Sequence, residues 1–126
     1  MIPNLEDRPT HKELTGKIRA AREAVERSTV FLLHQELLIA EALDLGYLIE
    51  EELEEVLLSL LEEADPSRYA GTHPPQRSYE QEISGMELFA FVVDCSRLAG
   101  RVYFKFALRG DALWVVSLHR DRGGTA

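Results

Sequence analysis

The sequence predicts an α+β domain, with N-terminal helices packed on a small antiparallel β-sheet. Two observations predict it. Apolar residues recur every three or four positions as far as Ala64, and from Glu87 onward that period gives way to short apolar, aromatic and β-branched runs with Gly between them. At 126 residues the chain has the length of a single domain with a core of its own, so 1–126 is read as one unit.

Residues 1–10 read as an extended arm, because Pro3 and Pro9 break any early helix. Thr10 and Glu13 have the spacing of a capping box, which starts a helix near His11 with Leu14, Ile18, Ala21 and Val25 on one face. Ser28 and Thr29 interrupt it. Phe31, Leu32, Leu33, Leu37, Leu38, Ala42 and Leu45 then predict a second helix, which Gly46 ends. A third runs from about Glu50 to Ala64 on the stripe Leu53, Val56, Leu57, Leu60 and Leu61, and Asp65-Pro66 closes it. The helical segment is thus 11–64. From 67 to 85 the chain is aperiodic and rich in Gly and Pro, a loop expected to hold an edge strand around Tyr79–Ile83. The runs Glu87–Asp94, Arg101–Leu108 and Leu113–Leu118 predict an antiparallel meander spanning 87–119, followed by a frayed tail over 120–126.

Charge is unevenly placed. Residues 1–64 hold 6 Lys and Arg against 15 Asp and Glu, whereas 65–126 hold 8 against 7. The acidity belongs to the helices, and the sheet half is free to attract a polyanion. The glutamates of 50–55 read as a solvated helix face or as a docking surface for a basic partner. The lone Cys95 lies in an apolar run, the N-terminus lacks the pattern of a signal peptide, and no apolar stretch reaches the ~18 residues needed to span a bilayer. A cytoplasmic domain without membrane contact is expected. His11, His34 and His73 lack ligand spacing, so neither a metal site nor a cofactor is predicted.

The chemistry-bearing residues gather on the last hairpin. In Arg101–Arg109, Val102, Phe104, Phe106 and Leu108 point toward the helices, and Arg101, Tyr103, Lys105, Ala107 and Arg109 point away. A three-residue loop of Gly110, Asp111 and Ala112 sets Arg109 opposite Leu113, Lys105 opposite Ser117 and Tyr103 opposite His119. A two-residue loop instead sets His119 opposite Val102 and scatters the set. Burial favours the first register. A histidine that titrates near neutrality, a tyrosine hydroxyl and a lysine on one open face suit acid–base chemistry on a phosphodiester. On the other reading they are ordinary polar residues of an exposed sheet face, with Trp114 and the phenylalanines as core. Arg68, Arg77, Arg120 and Arg122 are either surface arginines or phosphate contacts.

Four stretches carry a resemblance to a known family: Ala42-Leu43-Asp44-Leu45-Gly46, Asp65 to Tyr69, Gly100-Arg101-Val102-Tyr103-Phe104-Lys105-Phe106, and Val115-Val116-Ser117-Leu118-His119. Over residues 42–122 the chain resembles the MqsR-type (motility quorum-sensing regulator) toxins, which have a RelE-like ribonuclease fold. In that family a Tyr-x-Lys strand pairs with a final strand ending in Ser-Phe and then Lys or His. The resemblance implies a metal-independent endoribonuclease toxin acting on mRNA, free or on the ribosome, and restrained by a cognate antitoxin protein. Tyr103, Lys105 and His119 would be catalytic, with Arg68, Tyr69, Arg77, Arg101, Arg120 and Arg122 binding substrate. The family's Tyr-Lys-Ser reads Tyr69-Ala70-Gly71 here, and such toxins are basic whereas this chain is acidic. Two further expectations follow: a non-catalytic protein-interaction domain on the same scaffold, or acidic helices that mask the sheet face.

Overall fold

A computed structural model describes residues 7–122. The order is helix α1 (His11–Glu26), strand β1 (Val30–Leu32), helices α2 (Gln35–Leu45) and α3 (Ile49–Glu63), then strands β2 (Phe89–Cys95), β3 (Gly100–Arg109) and β4 (Ala112–Arg120). The α+β class read from the sequence is the observed one. Residues 1–6 of the predicted arm and 123–126 of the predicted tail lie outside the described residues.

Local chemistry sets most of the boundaries. The Thr10 hydroxyl accepts the Glu13 amide at 3.1 Å while the Glu13 carboxylate accepts the Thr10 amide, closing the capping box at the start of α1. Gly46, at φ 91°, takes the left-handed conformation that ends α2 and that other residues adopt at a cost. Helix α3 stops at Glu63, and Asp65, the extended residue before Pro66, accepts the Ser67 amide to start a 3₁₀ turn.

The sheet has the order β1-β4-β3-β2, antiparallel except for β1, which runs parallel to β4. The parallel strand corrects one expectation. Phe31 and Leu32 do not join α2, because Ser28 at φ 58° turns the chain, and Thr29 and Leu33 then bond to Leu113 and Val115. β-branched and aromatic residues suit such a pleated position, and tertiary pairing overrides the helical period. The predicted edge strand at Tyr79–Ile83 is likewise absent. Gln81–Ile83 forms a single 3₁₀ turn that drops Ile83 onto the sheet, and Tyr79 stands 95% exposed. The ladder contacts of this loop lie earlier, where Tyr69 bridges Phe91 and Arg77 bridges Glu87.

Helices α1 and α3 cover one sheet face. Phe89, Phe91, Phe104 and Phe106 are buried there beside Val56, Leu57, Leu60 and Leu61. Each such phenylalanine stabilises the fold by about 1.5–3 kcal/mol. On the other face Ile83 and Leu88 cover Ala107 and Val116 in a smaller cluster. The remainder of that face carries the polar residues. Helix α1 lies against the apolar side of the sheet and not on the face that carries Tyr103 and His119.

Candidate active site on the open sheet face

Tyr103 and His119 are directly opposite partners across β3 and β4, and their rings stack at 5.2 Å with 19° between planes. Lys105 faces Ser117 two residues along the same side, roughly 7 Å away by strand geometry. The predicted pairs Tyr103–His119 and Lys105–Ser117 are thus present, but the predicted Arg109–Leu113 pair and the three-residue loop are not. Arg109 pairs with Ala112, which leaves a two-residue turn of Gly110, at φ 59°, and Asp111.

A β-bulge reconciles the two. The ladder runs regularly from Arg109–Ala112 to Phe106–Val115, then passes to Lys105–Ser117, so Val116 is the extra residue. Val115 enters the helix-facing core and Val116 the opposite cluster, as alternation requires, but Ser117, paired with Lys105, stays on the same side as Val116. This break in alternation restores the side of every residue that follows, leaving Leu118 in the core and His119 on the open face. Without the bulge a two-residue turn would place His119 opposite Val102.

The second half of β4 is also held from the side. Beyond the end of β1, the Leu118 amide donates to the buried Glu41 carboxylate of α2 at 3.5 Å. Glu41 is therefore a positioning group one residue from His119, and its charge, after burial, helps to hold the neighbouring Tyr47 phenol above the usual tyrosine range. The sequence offered no signal for it beyond a carboxylate on a mostly apolar helix.

The hydrogen-bond geometry suits proton transfer. His119 Nδ1 lies 2.8 Å from the Arg120 carbonyl oxygen. A carbonyl can only accept, so Nδ1 carries the hydrogen and Nε2 of the neutral ring holds a free lone pair. Burial pushes the Tyr103 phenol above its ordinary range, so it keeps its proton and acts as a donor. Lys105 lines an adjoining cleft of about 310 Å³ with Ser117, Ser78, Arg77 and His34. His34 Nε2 stands 3.7 Å from the Glu80 carboxylate across that cleft.

The expected phosphate contacts are divided. Arg101 shares the open face with Tyr103, but its Nε lies 3.2 Å from Asp94, and Arg68 reaches the same carboxylate from beyond the edge of β2. Asp94, which sequence reasoning passed over, thus occupies both arginines. Arg77 donates to the Gly85 carbonyl at the cleft rim. Arg120 pairs with Val102 and so points to the helix side, away from His119. Tyr69 is also on that side. It bridges Phe91, meets its ring edge-on at 5.9 Å, and donates its hydroxyl to the Thr72 carbonyl. Burial raises the Tyr69 phenol to about 12. Arg120 is therefore not brought to the Tyr103–His119 pair, because strand alternation sends it to the opposite face, whereas Tyr69 packs on the Phe91 side with its phenol within electrostatic reach of Tyr103. Arg122 is exposed at the end of the described chain.

The helices lack the length and apolarity of a membrane span among the described residues. Comparison with protein-family models, curated proteins and solved structures gives no match.

Proposed function

We propose that this chain is an MqsR/RelE-like endoribonuclease toxin of a type II toxin–antitoxin pair, cleaving mRNA in the cytoplasm and held in check by an antitoxin protein. One observation carries the reading: Tyr103 stacked on His119 beside Lys105, on the sheet face that α1 and α3 leave free. In the mechanism His119 Nε2 takes the proton of an RNA 2′-hydroxyl as that oxygen attacks the adjacent phosphorus. The Tyr103 hydroxyl donates its proton as the bond to the leaving 5′-oxygen breaks. Lys105 holds the negative charge that builds on the phosphoryl oxygens. The products are a 2′,3′-cyclic phosphate and a 5′-hydroxyl. No step of this scheme calls on a cofactor. Controlled expression in a bacterial host tests it: wild type arrests growth, and His119→Ala and Tyr103→Phe release the arrest while accumulating to the same level. Equal arrest by the variants would remove these residues from the site.

One observation favours a second reading, a non-catalytic interaction domain on the same scaffold. Ala70 stands where the resembling family has lysine, and Arg68, the adjacent cation, is bound to Asp94. Harmless overexpression together with RNA left intact by the purified protein would favour it.

A further inference from the structure

Helix α2 is apolar on more sides than the fold covers. Leu38, Ala42 and Leu45 enter the core, but Ile39 and Leu43, one turn apart on another side, are 36% and 62% exposed. Leu48, just past the helix, is 51% exposed. With Ile49 these three line an open groove of about 180 Å³ whose rim is formed by Glu50 and Glu51. An i, i+4 apolar pair continued by a third large side chain is the type of seam a facing helix fills. Left uncovered, such a patch marks an interaction surface.

Its electrostatics select the occupant. Residues 36–63 carry ten carboxylates and no Lys or Arg. Arg97 reaches over to neutralise Glu52 and Glu55. Among the described residues Glu50 and Glu51, which line the groove, have no cation partner. We propose that this groove docks an amphipathic helix of another protein, one with an apolar stripe flanked by Lys or Arg. The apolar side chains supply the anchors, and the unpaired carboxylates set orientation and reject acidic helices. A second copy of this chain is a poor occupant, since a two-fold contact sets Glu50 and Glu51 against their own copies. RNA is repelled by the same charges. The groove shares no residue with the Tyr103–His119 face, so the inference stands apart from the nuclease reading.

Fluorescence anisotropy with the full chain tests it. The probes are two labelled helical peptides of about 18 residues, five turns, with leucines spaced i, i+3, i+4, i+7. One carries lysines beside the stripe and the other glutamates. The lysine peptide is expected to bind, and the glutamate peptide to bind at least about 100-fold more weakly. Leu43→Ser and Leu48→Ser, both at exposed positions, each weaken the lysine peptide about tenfold. Glu50→Gln with Glu51→Gln weakens it and flattens its salt dependence. Failure of the lysine peptide to bind overturns the proposal, as does binding indifferent to both leucine variants, which would mean attraction by charge alone. A wild-type dimer in analytical ultracentrifugation that Leu43→Ser dissolves assigns the groove to a second copy and overturns it too.

Discussion

Deletion of Val116 removes the residue that the β-bulge absorbs, and its consequences follow from the ladder. Phe106–Val115 and Lys105–Ser117 are already paired on either side of the bulge, so the shortened strand closes into a regular ladder with Tyr103 still opposite His119. Val116 is 8% exposed, and losing its burial costs about 2 kcal/mol. One more well-formed backbone hydrogen bond returns about 1 kcal/mol. The net loss is about 1 kcal/mol, a fall in Tm of roughly 4 °C for a domain of this size. Urea unfolding measures the stability, and a nuclear Overhauser contact between the Tyr103 and His119 rings reports the pairing. The contact should survive the deletion. Its disappearance, with stable protein remaining, would refute the assignment of Val116 as the extra residue and with it the argument that the bulge sets the side of His119.

Three further outcomes are expected. Asp94→Ser frees Arg68 and Arg101 for phosphate, so binding of a poly-uridine oligonucleotide should tighten, and its log–log salt dependence should steepen by about 1.4, or 0.7 for each phosphate neutralised; an unchanged slope in an anisotropy titration counts against both arginines as contacts. The side-chain hydrogen bond from Arg8 holds the Glu13 carboxyl below its ordinary value of 4.5. Because the folded-state value is the lower one, this contribution is complete above about pH 4.5 and is lost as the pH falls through the folded value, so Glu13→Gln should flatten the acid limb of urea midpoints measured against pH. Glu41→Leu removes the acceptor of the Leu118 amide and should cost about 1–3 kcal/mol, whereas Glu41→Gln keeps an acceptor and should cost less; equal unfolding midpoints would dismiss the bond as a support of β4.

The helices and the last three strands were legible because their signals are local. The Thr10–Glu13 box, the Gly46 stop and the alternation from Val102 to Leu108 each act within a few residues. Strand β1 was not legible, since Val30–Leu32 becomes a strand only by pairing with β4, some eighty residues away in sequence. The pairing of Tyr103 with His119 was read correctly from burial, but through the wrong device. The bulge puts Val116 and Ser117 on the same side and has no local sign in the sequence, since Val115-Val116 reads as part of a strand buried on both faces. Asp94 and Glu41 escaped because a carboxylate's partners, Arg68 and Arg101 in one case and the Leu118 amide in the other, are set by the fold. Arg120 was grouped with the site by sequence neighbourhood, which strand alternation does not respect, and Tyr69 by the family resemblance.

The proposed nuclease activity requires His119 to move a proton at an RNA phosphodiester. Purified wild-type protein and His119→Ala, each incubated with a long transcript in EDTA and followed on denaturing gels, test that most directly. The predicted result is fragmentation by wild type to ends bearing 2′,3′-cyclic phosphate, slowed by about 10²–10⁴-fold in the variant. A transcript left intact by wild type, or cut at the same rate by both proteins, would contradict it.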